Sequence, residues 1–201
     1  MTLSLKPGLT LYFARHGQTR ANVEKRFSGE RDTPLTDLGL TQAAQVGHIL
    51  KRELGAAEGY RFISSPLTRA VATMTIARRE MGLTPGGFAT DNRLKEINLG
   101  VWDQLTDVEA RAQSPILFEK RGNDKWHVRV PGGENYAEVA ARVSDWVREL
   151  KTDTVAVSHG ATTRILRGLL AGLDWRAMSA LDEPQGVVFR VSGSTVTRLD
   201  P

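Results

Sequence analysis

The chain has 201 residues, 40% hydrophobic and 25% charged, an ordinary globular composition with enough apolar material for a sizeable core. It contains no cysteine, which excludes a disulfide scaffold, a thiolate nucleophile and thiolate zinc sites. Net charge is +4, a balance that attracts anions, but the cations form no long run and only 6% of residues are aromatic, so no nucleic-acid partner is expected.

No apolar run approaches the roughly 20 residues of a membrane span, and Met1 to Gly8 has no apolar block of secretory type. The expectation is one cytoplasmic domain over 1–201 with no membrane partner, its oligomeric state left open. In chain order, Leu9 to Ala14 is a short apolar run that reads as a buried strand. Thr36 to Leu54 reads as an amphipathic helix with Thr36 as N-cap. Arg61 to Ser64 is a second strand. Ser65-Pro66 then reads as a cap with proline at the first helical position, opening a helix that runs to Met81 and ends at Gly82. Phe88 to Thr90 is a short strand.

From about 100 to 133 the pattern loosens, with helical material around Asp103 to Arg121. This segment reads as a small insertion over one end of the sheet. Glu134 to Leu150 returns to helical period, Thr154 to Val157 is a third buried strand, and Ala161 to Leu173 is a helix. Gly186 to Val191 and Thr195 to Leu199 flank Ser192-Gly193-Ser194 as a terminal hairpin. Alternating strands and helices point to a three-layer α/β/α fold with a mostly parallel central sheet.

Several common signatures are absent, among them phosphate loops, dinucleotide-binding glycines and the His-Glu-x-x-His metal motif. Three places nevertheless converge. Arg15-His16-Gly17 follows the first strand, His159-Gly160 follows the third, and Arg69 lies in the first turn after the second. Ligands of open parallel sheets bind at the carboxyl ends of strands. Two guanidiniums, two imidazoles and helix N-termini at one sheet edge describe a pocket for a compact dianion such as a phosphoryl group. Taken singly, each of these residues has a bland structural reading. His48, His127 and the four tryptophans keep theirs.

The ordered blocks resemble the histidine phosphatase superfamily, also called phosphoglycerate mutase-like. They are Leu11 to Asn22 with Arg15-His16-Gly17, Asp32 to Gly39, Ser64 to Thr73 with Arg69, Leu94 to Trp102 with Glu96, Pro131 to Glu134, and Val157-Ser158-His159-Gly160. The resemblance implies that His16 is the nucleophile and Glu96 the proton donor and later base. It also implies that Arg15, Asn22, Arg69 and His159 hold the phosphoryl oxygens, with Ser28 touching the group. Gly17 and Gly160 would allow close backbone approach. No metal and no cofactor are expected, because a cation-rich pocket can stabilise phosphoryl transfer by itself.

Departures within the family pattern narrow the choice. Ser28 is closer to the Thr of cofactor-dependent mutases than to the Gln of many phosphatases. Against that, Glu96 is followed by Ile97-Asn98-Leu99 rather than by the mutases' Arg and Tyr. The insertion offers Arg111, Lys120, Arg121, Lys125 and Arg129 without an adjacent Arg pair. Asp103-Gln104 replaces the usual acid and Gly after the block tryptophan. The expected activity is a metal-independent phosphomonoesterase acting on a small phosphorylated metabolite. A phosphoglycerate mutase is the alternative, and a non-enzymatic phosphate-binding protein ranks third.

Overall fold

The structure is a computed structural model that describes residues 3–201. Its elements run β1 (Thr10–Arg15), α1 (Arg20–Val23), α2 (Asp37–Leu54), β2 (Arg61–Ser64), α3 (Thr68–Met81) and β3 (Ala89–Thr90). They continue with α4 (Asp107–Gln113), α5 (Pro115–Asn123), α6 (Tyr136–Glu149), β4 (Thr154–Ser158), α7 (Gly160–Leu170), α8 (Trp175–Ser179), β5 (Val188–Ser192) and β6 (Thr195–Leu199). Six strands form one sheet in the order β3-β2-β4-β1-β5-β6. The pairs β1–β4, β2–β4 and β2–β3 are parallel, and the hairpin β5–β6 joins antiparallel against β1. Among the described residues no helix is long and apolar enough to cross a membrane.

The strands alternate sides, and both sides are apolar. Leu11 and Phe13 of β1 and Ala156 of β4 face a core shared with α6 and α7, through Val139, Val143, Trp146 and Ile165. Tyr12, Ala14, Val155 and Val157 face the opposite core, built with Val46, Ile49 and Leu50 of α2 and Met74 and Ala77 of α3. Burial on both faces is what parallel strands under crossover helices require, and it produces the three layers.

Most boundaries move by a residue or two, and three differences from the sequence reading have a clear local reason. Helix α3 opens at Thr68, not after Ser65-Pro66, and its N-cap Leu67 has no side-chain bond. Ser65 instead prolongs the sheet, its N–H donating to the Val157 carbonyl at 2.9 Å. The helical material of the insertion is two helices, because Pro115 has no N–H to continue α4 and starts α5 instead. Helix α7 ends at Leu170 and Asp174 caps the further helix α8, accepting from Arg176 and Ala177 N–H. Thr36 caps α2 and left-handed Gly82 closes α3, both as read.

The register brings the functional ends together. Arg15 pairs with Ser158 and Ser64 with Val157. The residues that immediately follow the three strands, His16, His159 and Ser65, therefore emerge side by side.

Candidate active site

His16 is 3% exposed, its N–H bonded to the Ser158 carbonyl at 2.9 Å. Its Nδ1 lies 2.7 Å from the Gly17 carbonyl oxygen. A carbonyl only accepts, so Nδ1 carries the proton and Nε2 presents its lone pair. Burial holds the His16 pKa well below the usual value, and the Arg15 and Arg69 charges push the same way. The ring is thus neutral at physiological pH.

The Arg69 side chain is buried and donates in several directions. Its Nε–H reaches His16 Nε2 at 3.3 Å and His159 Nδ1 at 3.2 Å. Its terminal nitrogens donate to the carbonyls of Arg31 at 2.8 Å and Gly29 at 2.6 Å. Because His159 Nδ1 accepts from Arg69, its Nε2 carries the proton and donates to Ser65 Oγ at 2.7 Å. The His159 pKa is also well below normal, first through burial and then through Arg69 and His16. The two imidazoles meet edge to face with centroids 5.1 Å apart.

Glu96 is buried at 8% exposure, not the surface carboxylate that its place near a turn suggests in isolation. Its oxygens accept N–H bonds from Ile97 at 2.9 Å and from Ala161 and Thr162, both at 3.2 Å, the last two in the first turn of α7. Those bonds and the nearby Arg69 and Arg15 favour the carboxylate. Burial, first, and then Glu183 oppose them more strongly, so the Glu96 pKa is raised. A carboxyl that keeps its proton at higher pH than usual is suited to proton donation.

Arg15, Asn22 and Ser28 line a cavity of about 580 Å³ together with His16 and Glu96, whereas Arg69, His159 and Gly160 are not among its lining residues. Arg15 donates to the Glu183 carbonyl at 2.6 Å. Asn22 belongs to the capping box of α1, and its Oδ1 accepts from Thr19 N–H and from Gln185 Nε2. With that oxygen engaged, its amide NH2 is the group left for an anion. Ser28 lines the cavity, and its buried hydroxyl has no partner. A side chain at Gly160 would meet the Glu183 carboxylate and the Arg15 guanidinium. A side chain at Gly17 would strike the Gly39 backbone. Its absence lets the loop after β1 pack on α2. The Asp103-Gln104 departure also has a structural role: Asp103 Oδ1 accepts from Gly29 N–H at 2.8 Å, and Gln104, at φ 70°, donates its N–H to Phe27. Together they anchor the 27–29 loop at the cavity rim.

Sequence reasoning missed Glu183, Gln185, Arg164 and Tyr136. The first two lie on the loop between α8 and β5, outside every block. Gln185 Nε2 also donates to the His16 carbonyl at 3.1 Å, tying that loop to the strand end. Arg164 was signalled by its spacing, one helical turn after Gly160 on the same face. His48 and His127 are exposed and pair with Glu80 and Asp124. No group of three or more His, Cys, Asp or Glu side chains among the described residues is arranged to hold a metal.

Residues 11–193 match the family model described as histidine phosphatase superfamily (branch 1). A phosphoglycerate mutase of Methylobacterium radiotolerans, described as 2,3-bisphosphoglycerate-dependent, is 33% identical over 200 residues, covering 92% of this chain and 91% of the relative. A bifunctional protein of Mycobacterium tuberculosis is 30% identical over 181 residues, covering 90% of this chain but only 46% of its own length. Among solved structures, a mycobacterial glucosyl-3-phosphoglycerate phosphatase superposes with a TM-score of 0.76 at 29% identity, covering 90% of this chain and 89% of that one.

Proposed function

The chain belongs to the histidine phosphatase superfamily, whose members found similar here are phosphoryl-transfer enzymes, and within it we propose that it is a metal-independent phosphomonoesterase working through a phosphohistidine. The observation that carries the reading is the tautomer of His16. Its Nδ1–H is held by the Gly17 carbonyl while Nε2 stands beside Arg69, in a cavity that Glu96 also lines.

In the first step Nε2 attacks phosphorus and the bond to the ester oxygen breaks. That oxygen takes the proton of Glu96. The imidazole becomes cationic, and its Nδ1–H stays on the Gly17 carbonyl. The Arg69 Nε–H, 3.3 Å from Nε2, turns to an equatorial phosphoryl oxygen once the lone pair is used. Arg15 and Asn22 take the others and the Ser28 hydroxyl gains a partner, while His159, expected to hold a phosphoryl oxygen, has its Nε2–H on Ser65 and instead positions the Arg69 side chain through Nδ1. In the second step Glu96, now a carboxylate, accepts a proton from water as the water oxygen attacks phosphorus and the N–P bond breaks. Most of the barrier reduction comes from positioning and from cations already in place.

The substrate is a small phosphorylated metabolite, and residues 100–133 form the wall that selects it. A phosphatase is favoured over a mutase by the wall next to the acid. Ile97, an apolar residue, lines the cavity there, and no adjacent Arg pair stands in the insertion. The mutase reading keeps the small Ser28 in its favour.

The test is phosphate release from a panel of phosphometabolites with and without excess EDTA, combined with rapid quenching. The expected result is EDTA-resistant release with an acid-labile phosphoryl adduct on His16, and loss of both in His16→Ala. Activity that vanishes with chelator and returns with Mg²⁺ or Zn²⁺ would sink the mechanism. Interconversion of monophosphoglycerates without phosphate release would move the chain to the mutase reading.

A further inference from the structure

Six cations line the cavity: Arg15, Lys25, Arg26, Arg121, Lys125 and Arg164. Three carboxylates, Glu96, Asp107 and Glu183, face them. Most of these cations have partners. Arg26 pairs with Glu24 at 3.1 Å and Glu109 at 3.0 Å. Arg164 pairs with Glu183 at 3.3 Å and donates to the Tyr136 hydroxyl at 3.0 Å. Arg15 shares Glu183 at 3.8 Å and belongs to the phosphoryl end. Lys25 is exposed at the rim.

Arg121 and Lys125 differ. Among the described residues neither side chain forms an ion pair or hydrogen bond, since the acids of the cavity are held elsewhere or lie out of reach. Arg121 is 7% exposed, and its Nε is buried without a partner. Burial lowers its pKa, with only Tyr136 acting against that. Lys125 is partly buried, and its pKa falls through burial and through Arg164 and Arg121, which outweigh Glu183 and Asp107. The C-terminal end of α5 and the ring of Trp102, 5.9 Å from the guanidinium, explain where Arg121 sits. They do not satisfy its donors, and they say nothing of Lys125. Two unpaired cations on one cavity wall, one buried and one partly buried, are costly unless an anion joins them.

In the proposed mechanism the phosphoryl group does not require them, because Arg15, Arg69 and Asn22 serve it. Resting on the phosphatase reading, we propose that the substrate carries a second anionic group, a carboxylate or another phosphate, received by Arg121 and Lys125. Arg121 comes from α5 and Lys125 from the loop after it, so the insertion selects substrates by charge as well as shape.

Matched pairs of ligands test this. O-phosphoserine and phosphoethanolamine differ by one carboxylate, and fructose bisphosphate and fructose monophosphate by one phosphate. Affinities are measured by calorimetry on His16→Ala, where no turnover intervenes, and hydrolysis is followed separately with His16 intact. The expected result is a preference for the acidic member of at least one pair by about 10–100-fold, the worth of one or two charge-assisted hydrogen bonds. Which pair shows it separates carboxylate from phosphate. Adding Arg121→Met, which keeps volume under Trp102, or Lys125→Met should bring the ratio most of the way to one. A ratio near one in both pairs, or one that survives both substitutions, overturns the proposal. Hydrolysis without preference overturns it alone. Preference without hydrolysis supports the subsite and overturns the phosphatase reading.

Discussion

The two walls of the cavity are built on opposite terms. At the strand ends the polar groups interlock: His16 with Gly17, Arg69 with both imidazoles and the 28–31 loop, His159 with Ser65, Glu96 with the first turn of α7. Across from them, the Arg121 and Lys125 side chains meet no acceptor, on a segment whose Val108 and Ile116 are 78% and 72% exposed. The contrast has a physical logic. Groups that act on phosphorus must be fixed before substrate arrives, because reorganising them during reaction adds to the barrier. Groups that choose among substrates gain by being left unsatisfied, because a ligand lacking the matching charge then leaves them unpaired.

The sharpest way to break the comparison is at Glu96. Glu96→Gln keeps the size and an acceptor for α7 but cannot donate a proton to the leaving oxygen. The expected loss is about 10²–10⁴ in kcat, with a much smaller change in KM. It should shrink for aryl phosphates, whose leaving oxygens need less protonation. Equal losses on alkyl and aryl esters, with chemistry limiting both, would remove Glu96 from the acid role.

A smaller effect is expected at Ser65, which touches no part of the phosphoryl pocket except through His159. Ser65→Ala leaves the buried His159 Nε2–H without its 2.7 Å acceptor. An unsatisfied buried donor costs about 1–3 kcal/mol, so a fall in Tm of several degrees should accompany it. The kcat should fall by about 10-fold with KM little changed, and Ser65→Thr should restore it. If kcat holds while Tm falls, Ser65 supports the fold alone and the strand-end wall is less tightly coupled than its hydrogen bonds suggest.

That Ser65 had to be found in the structure shows what the sequence can carry. Ser followed by Pro has the local chemistry of a helix start, and only pairing with Val157 of β4 reveals that Ser65 continues the sheet. The three layers were legible because both faces of β1 and β4 are apolar, and the proposed phosphoryl wall because its residues follow strands directly. The insertion's cations could be named but not sorted. Arg111 turns to Glu119 and Arg129 to Glu138, while Arg121 and Lys125 turn inward, a choice made by tertiary packing. Glu183 and Gln185 left no trace, since the loop carrying them has no periodicity and meets Arg15 and His16 from 168 and 169 positions away.

Glu183 also offers the subtlest test, because it belongs to both walls. Its carboxylate lies 3.8 Å from Arg15 and 3.3 Å from Arg164, and after burial it is the largest influence raising the Glu96 pKa. In the proposed mechanism the first chemical step needs Glu96 protonated, so kcat/KM should decline as pH rises through the Glu96 pKa of the unliganded enzyme. Glu183→Gln removes a negative charge of similar shape. The bond from Arg15 to the Glu183 position survives, because it is made to the backbone carbonyl. Without the repulsion, the Glu96 proton is held less tightly and the alkaline limb moves to lower pH. Unmasking Arg15 and Arg164 pushes Glu96 the same way, while it strengthens attraction for a dianion and lowers KM. The expected profile therefore shows an acid-shifted limb, reduced kcat near neutrality and tighter binding, all measured on one substrate so that its own ionisation cancels between the two proteins. A limb that stays in place would mean that the titrating group is not Glu96, and the strand-end wall would then need another acid.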